Sequence, residues 1–456
     1  MKQLARIFCI ALMAIGCCSA FAGCGNKTTP GEIVVLMNRT DLRTTVLADA
    51  KEQFDAEFAE QGWTVTFETT TDYEGDTSTR LLGGEYGDVL LIPNSVKGEE
   101  FAYYFMPLGS TEELAKEWRF VNSKAYDGQV YGLSTYGSTT GVLYNKKVFA
   151  EAGITDMPST PDEFLAAMRT LKSANADNPN FVPYYTNFAA EWPLDQWTDA
   201  VIPATGNANY LVDELPWDTG AFAPGGACYT VYELLYDLVK EGLTEQSPST
   251  TEWERSKVEL VNGNIGAMVL GSWAIPQFQE VAGGKAPGDL VLQPGEITGA
   301  VEDIGYMPFP FEVDGKMYAT SASDYTLGIA NNTRNEAAAR AFVEWFLTDF
   351  GYYKMCGGIP PQLSNDDFPD AIRAFEDMGV TFLEQTAARV EGAQELCEEE
   401  SGITMWASAW KKPFVEEAYK VREGQGGKTY AEICADLNEQ WNEGVAAVIE
   451  EFGPKA

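Results

Sequence analysis

A dense series of turn, strand and helix signals over residues 127–164 constrains the fold more than any other part of this chain. Asp127–Gly128 is a turn pair. Val130–Leu133 and Gly141–Tyr144 are short runs rich in strand-forming residues. This region therefore predicts a turn followed by two strands.

Two helices are predicted directly after these strands. Lys147–Ala152 should be a helix that stops at Gly153, because glycine tolerates the left-handed conformation common at helix C-termini. Thr160 has the character of an N-cap residue, and Glu163 stands three positions later, close to a capping box. The second helix is therefore predicted over Pro161–Ala174, with proline at its first position.

Residues 127–164 resemble the family of extracellular solute-binding proteins that deliver sugars to ABC importers. In that family a block of the form GKxYGLP, then YYNK, then AG and TwdEf, lies where the chain crosses from the first lobe to the second. Ser134 stands where proline is more common. Three further blocks resemble the family's conserved elements: Leu81–Val89, Val261–Trp273 and Glu336–Leu347.

The first residues predict export. Lys2 and Arg6 precede an almost uncharged apolar run, Ile7–Ala22, which is shorter than the roughly 20 residues that span a bilayer. Small residues before Cys24 resemble a bacterial lipobox, so we expect residues 1–23 to be a signal peptide and Cys24 to become the lipid-modified N-terminus. Residues 24–30 would then form a tether. The alternative is ordinary secretion with cleavage near Ala20 or Ala22.

Length and charge limit the function. A chain of 456 residues exceeds what one hydrophobic core usually supports, so two lobes are expected. The net charge of −37 repels polyanions and argues against nucleic acid as a partner. We expect a monomer on the extracytoplasmic face of the cell membrane, held there by its lipid.

Histidine is absent from the sequence, which excludes Ser-His-Asp catalysis and histidine-bearing zinc sites. The cysteines that follow the lipobox lack C-x-x-C spacing, so we expect no metal and no cofactor. They could be buried thiols or include a disulfide: Cys228, Cys356, Cys397 and Cys434.

Strand and helix patterns alternate along the first lobe and predict an α/β fold with a mostly parallel sheet. The predicted strands are Glu32–Met37, Trp63–Thr69 and Gly87–Ile92, and the predicted helices are Thr44–Gln61 and Asp76–Gly83.

The family resemblance implies a two-lobe, periplasmic-binding-protein-like fold (type II), with the ligand in a cleft between lobes joined by crossovers. We place the N-terminal lobe at 31–137 plus 308–357 and the C-terminal lobe at 138–307 plus 358–456. The second and third crossovers are predicted at Ile304–Pro310 and Gly357–Gln362.

A sugar presents C–H faces that stack on aromatic rings and hydroxyls that need donors and acceptors. Such groups cluster in loops after the carboxyl ends of strands in α/β lobes. The candidates in the first lobe and the crossovers are Arg39, Asp41, Tyr73, Asn94, Tyr136, Ser138, Asp324 and Tyr325. The candidates in the second lobe are Asn187, Trp192, Trp197, Trp273, Trp406 and Trp410, where each tryptophan could instead belong to a core.

Two of these candidates carry a more specific expectation. Arg39 and Asp41 could together clamp a hydroxyl, or could be an exposed ion pair. Ser138 falls at a position that carries a ligand carboxylate in the maltose-binding branch, so maltodextrin is not the expected sugar.

The resemblance implies a non-enzymatic carbohydrate receptor that closes around its ligand and docks on an ABC permease. Two alternatives stay open. One is a same-fold protein for another solute, such as a polyamine, an organic anion or a glycerol-phosphate ester. The other is an extracellular glycosidase, which would need two facing carboxylates about 5–10 Å apart.

Overall fold

The computed structural model describes residues 31–455, apart from the side chain of Asp41. The strands are β1 Glu32–Met37, β2 Thr64–Thr69, β3 Val89–Leu91, β4 Gly109–Ser110, β5 Ala125–Tyr126, β6 Gln129–Val130, β7 Gly132–Ser134, β8 Gly137–Ser138, β9 Thr140–Asn145, β10 Val182–Tyr184, β11 Ile265–Gly271, β12 Ile304–Met307, β13 Tyr318–Ser323, β14 Thr326–Ile329 and β15 Thr381–Glu384. The α-helices are α1 Val46–Glu57, α2 Tyr73–Gly83, α3 Phe101–Tyr104, α4 Thr111–Leu114, α5 Lys146–Glu151, α6 Pro161–Ala174, α7 Val201–Thr205, α8 Ala227–Lys240, α9 Trp253–Val261, α10 Ile275–Ala282, α11 Glu336–Leu347, α12 Tyr352–Met355, α13 Asp370–Asp377, α14 Ala393–Ser401, α15 Lys412–Arg422 and α16 Tyr430–Phe452.

Two main sheets define two lobes. The first lobe contains the order β2-β1-β3-β14-β7, and the second contains β10-β11-β9-β12. β1 runs parallel to β2 and β3, and β10 runs parallel to β11. However, β14 is antiparallel to β3 and β7, and β9 is antiparallel to β11 and β12.

The sheets are therefore mixed, and the prediction of a mostly parallel sheet was wrong. The reason is the path of the chain between the lobes. A strand that enters a lobe from the connecting segments runs opposite to the strands built by local βαβ units, which are parallel.

Each lobe has its own hydrophobic interior. In the first lobe, β1 and β3 pack with α1 and α11, around side chains such as Phe54 and Phe342. The second lobe is built around α8, α15 and α16, where the Trp441 side chain is fully buried. A further cluster packs α9 and α10 against β11. Separate cores are what allow two lobes to move as units.

The segments that connect the lobes are hydrogen-bonded to one another. β8 pairs antiparallel with β13, and β13 pairs parallel with β15. The Gly137 N–H donates to the Ile359 carbonyl at 2.8 Å, and the Ile359 N–H donates back at 2.7 Å. A Cβ at residue 137 would lie 2.3 Å from the Phe120 ring, so the connection needs glycine there.

Local signals located most of the predicted elements within a few residues. Strand β1 and helix α6 have the predicted bounds, and Gly153 has φ +78° after helix α5. The Thr160 hydroxyl accepts from the Glu163 N–H at 3.3 Å. The Glu163 carboxylate reaches the Ser159 N–H at 2.9 Å, one residue before the predicted partner. Helix α1 ends earlier than predicted because the chain leaves the helix at Phe58 and continues in turns to Gly62, which has φ +69°.

Cys228, Cys397 and Cys434 are buried free thiols, and Cys356 is buried with its Sγ accepting from Arg39 Nη1. Within residues 31–455, no helix is both long and apolar enough to cross a bilayer.

Candidate functional site

A cavity of about 740 Å³ lies between the lobes, beside the connecting strand β13. The first lobe contributes Asn94 and residues 120–128, and the second lobe contributes residues 384–388 and Trp406. This volume lies within the range typical of small-molecule sites. A ligand here would touch both lobes and a connecting segment together.

Four sequence candidates line this cavity: Asn94, Asp324, Tyr325 and Trp406. The Tyr325 hydroxyl donates to the Glu74 carboxylate at 2.8 Å, and the Asn94 N–H donates to the same carboxylate at 3.0 Å. Glu74 therefore links, through hydrogen bonds, the loop after β3 and the connecting segment that contains Tyr325. Trp406 is 45% exposed, so part of its indole is accessible to a ligand in the cavity.

The cavity lining is acidic. Among the described residues, the lining carries Lys124 and five carboxylates: Asp127, Asp324, Glu384, Glu391 and Glu395. Burial raises the pKa of Asp324 and of Glu384, and burial lowers the pKa of Lys124. Such a surface favours hydroxyl donors or cations and disfavours anions.

A second candidate surface lies at one edge of the second-lobe sheet. Asn187 comes after β10, Trp273 follows β11, and Thr139 precedes the antiparallel strand β9, so the three lie at the same edge. The 3-10 helix Trp192–Ala200 is joined to this edge, because the Thr140 hydroxyl donates to Asp199 at 2.6 Å.

Several buried oxygens at this edge lack partners. In the described part of the chain, the atoms without a hydrogen-bond partner include Thr139 Oγ1, Asn187 Oδ1, Asp195 Oδ1 and Gln196 Oε1. Unpaired buried oxygens are costly, and ligand hydroxyls could supply the missing donors. Burial raises the pKa of Asp195 and Asp199 to about 6, so near that pH part of each carboxyl population is protonated and carries an O–H donor.

Three tryptophans cluster beside this edge. The Trp192 ring lies 5.6 Å from Trp273 and 5.0 Å from Trp253, centroid to centroid. Trp273 is half-buried and packs against the core clusters of both lobes. In this conformation the rings contact one another, so only part of each indole is available for stacking.

Other candidates lie inside the lobes. The Trp197 side chain is 2% exposed and packs against Tyr184 and Phe309. Trp410 is buried and packs against Phe222 and Tyr232. The buried Tyr73 hydroxyl donates to the Leu91 carbonyl at 2.8 Å. These positions favour structural roles.

The remaining candidates lie near the connecting segments. Arg39 Nη1 donates to Cys356 Sγ at 3.8 Å. Burial raises the pKa of Tyr136, and the positive charge of Arg39 partly offsets that increase. Ser138 is half-buried in β8. The side chain of Asp41 and all of Cys24 lie outside the described residues, so the Arg39–Asp41 clamp stays a prediction.

Sequence reasoning missed four charged residues of the cavity lining: Lys124, Glu384, Glu391 and Glu395. Lys124 precedes the Asp127–Gly128 turn and could have been found from that turn. The segment 384–395 carries no motif, and contacts far apart in sequence bring it to the cavity. β15 pairs with β13, and the N–H groups of Thr386 and Arg389 donate to Asn209 and Asp213.

The two-lobe fold with its interlobe cavity defines a class of ligand-binding protein. The chain belongs to the family of bacterial extracellular solute-binding proteins, whose model matches residues 43–350.

Similar solved structures include BlMnBP1 of Bifidobacterium animalis subsp. lactis, a binding protein of an ABC transporter in complex with mannobiose. It is 34% identical, with a TM-score of 0.78 over 92% of this chain and 95% of that one. The manno-oligosaccharide specific BlMnBP2 of the same organism, in complex with mannotriose, is also 34% identical, with a TM-score of 0.78 over 91% and 95%. A multiple sugar-binding protein of Streptococcus mutans is 22% identical over 59% of this chain and 60% of that protein's length.

Proposed function

We propose that this protein captures an oligosaccharide outside the cytoplasm and delivers it to the permease of an ABC transporter. The observation that carries the proposal is the 34% identity, over 92% of the chain, with a transporter-associated protein solved in complex with mannobiose. The same relatives make short manno-oligosaccharides the first ligands to test.

The cavity chemistry supports a sugar ligand. Trp406 offers a stacking face, while Asn94, Asp324 and the neighbouring carboxylates offer groups for hydroxyls. At the second-lobe edge, Thr139 and Asn187 hold buried oxygens that need donors. Closure of the lobes on a sugar would remove water from both surfaces and strengthen these bonds.

The connecting segments support a hinge mechanism. β8, β13 and residue 359 are held to one another, so motion would be absorbed at their ends rather than within them. The ligand would stabilise the closed form, and the closed form would dock on the permease. We propose that the chain only binds and performs no catalysis, in line with its solute-binding family.

A calorimetric and thermal-shift screen tests this function. Mannobiose or mannotriose at about 100 times its dissociation constant should stabilise the purified protein by roughly 2.7 kcal/mol. Maltose, raffinose, spermidine and glycerol 3-phosphate serve as comparison ligands. No response to any sugar, with a clear response to one of the charged solutes, would contradict the proposal.

A polyamine is the second candidate, and the acidic cavity lining favours it. Glu384, Glu391 and Glu395 face a space that could hold a linear polycation. The same lining disfavours organic anions and phosphate esters. Spermidine binding that weakens steeply with salt, together with no sugar response, would select this alternative.

We further propose that Cys24 is lipidated and that residues 24–30 tether a monomer to the extracytoplasmic face of the membrane. The lobe boundaries at 31–137 plus 308–357 and 138–307 plus 358–456 stay part of this proposal. The separate cores support a division into two lobes, and Phe309 and Phe311, just past the 307/308 boundary, pack in the second-lobe core. A Cys24→Ser variant should appear in the soluble fraction while the unchanged protein stays with membranes. Equal partition of both would rule out the anchor.

A further inference from the structure

The loop that carries Trp406 is held from inside the second lobe by one lysine. Lys411 is fully buried. Its Nζ donates to the Met405 carbonyl at 2.7 Å and to the Ala407 carbonyl at 2.9 Å. These are the carbonyls on either side of Trp406. A single side chain therefore holds the peptide group directly before Trp406 and the peptide group that follows Ala407, which limits the movement of the backbone that carries the indole.

Three more buried or half-buried groups hold the same loop. The Thr198 hydroxyl donates to the Met405 carbonyl at 2.6 Å, and Trp410 Nε1 donates to the Thr404 carbonyl at 2.9 Å. The Met405 N–H donates to the Glu398 carboxylate at 3.3 Å. The backbone next to Trp406 is thus bonded on both sides, although the indole itself is 45% exposed.

The surroundings of Lys411 are unusual for a structural lysine. Its Nζ lies 4.6 Å from the Trp410 ring centroid and 4.0 Å from Asp195 Oδ1. Burial lowers its pKa to about 7, while the nearby Asp195, Cys228, Asp199 and Glu398 oppose that shift. Removing an ammonium group from water is expensive, and an apolar side chain of similar length could fill the same space. What an apolar side chain could not supply is the pair of donors to the Trp406 loop.

We propose that Lys411 is a positioning residue for ligand binding, whose bonds to the Met405 and Ala407 carbonyls keep the Trp406 indole directed into the interlobe cavity. The inference rests on the proposed function, because it assigns Trp406 a stacking role toward the sugar. It adds a residue that touches no ligand and acts through the loop, as a supporting group does for a preorganised site.

A double-mutant cycle with mannotriose tests this role by calorimetry. Lys411→Met keeps the length of the side chain and removes the donors. This change should raise the dissociation constant for mannotriose by about tenfold in the otherwise unchanged protein. In the Trp406→Ala variant it should raise that constant by less than about twofold. Lys420→Met is the matched control, because Lys420 is a half-exposed lysine on α15 paired with Glu417. It should leave affinity unchanged.

The inference would be overturned if Lys411→Met lowers the mannotriose affinity equally with and without Trp406→Ala. It would also be overturned if Lys411→Met leaves that affinity unchanged. If Lys411→Met does not fold, Thr198→Val removes one donor to the Met405 carbonyl and should show the same dependence on Trp406. If Thr198→Val lowers the affinity equally with and without Trp406→Ala, that result would count against the proposal.

A ligand-free measurement separates this inference from the proposed function. In protein labelled with 5-fluorotryptophan, the Trp406 ¹⁹F resonance is identified by its loss in Trp406→Phe. Lys411→Met, or Thr198→Val in its place, should shift or broaden that resonance and leave the Trp63 resonance unchanged. An unaltered Trp406 resonance would overturn the inference even if sugars bind. A shifted resonance without any sugar binding would support the positioning role and contradict the stacking role.

Discussion

Trp406→Ala is expected to weaken the binding of mannotriose by about tenfold or more, with little change in melting temperature. The indole lines the interlobe cavity and is 45% exposed, so its removal deletes a stacking face without opening a core. Calorimetry measures the dissociation constant, and thermal unfolding without ligand measures the stability. Both are read on the same preparation.

Trp63→Ala is the matched control for this change. Trp63 is also partly exposed, but it packs on Phe58 in the first lobe, away from the cavity. It should alter stability modestly and leave affinity unchanged. If Trp406→Ala binds mannotriose as tightly as the unchanged protein, the indole does not contact the ligand and the cavity is not the sugar site.

Much of the scaffold was predictable because its signals are local. The Thr160 cap, Pro161 and the apolar spacing of helix α6 lie within a few residues of one another, and the helix has the predicted bounds. The same holds for strand β1. Local hydrogen bonds and side-chain periodicity determine such elements almost independently of the rest of the chain.

Strand direction was not predictable from the same signals. The segment Thr326–Ile329 is an ordinary buried strand in sequence, and nothing local states that it runs antiparallel to β3. Its direction follows from the preceding strand β13, which crosses between the lobes. Strands β3 and β14 are more than 200 residues apart in the sequence, so their relative direction depends on the whole path of the chain. The local spacing of apolar residues contains no information about that path.

The tryptophans show the same limit at the candidate site. Trp192 and Trp197 lie in one 3-10 helix, where five residues turn through about 600°, so the two rings point to different faces. Trp192 is half-buried beside Trp273, and Trp197 is buried in the core. Composition and spacing nominated both residues, but which of the two rings faces the core becomes visible only in the structure.

Trp197→Ala is therefore expected to act on stability and not on binding. The side chain is 2% exposed, with its ring 6.2 Å from that of Tyr184 and 6.0 Å from that of Phe309. Truncating a buried tryptophan leaves a cavity and typically lowers the free energy of unfolding by about 3–5 kcal/mol. Denaturant unfolding, followed by fluorescence and by circular dichroism, measures this loss.

Trp197→Phe keeps most of the buried volume and should cost clearly less than Trp197→Ala. Calorimetry below the melting temperature of Trp197→Ala should give the same mannotriose affinity as for the unchanged protein. The Trp197 ring lies on the core-facing side of its 3-10 helix and does not line the cavity. The opposite pattern, a stable Trp197→Ala that no longer binds sugar, would make Trp197 a ligand contact. It would mean that the open, sugar-free lobe exposes a ring that is buried in this structure.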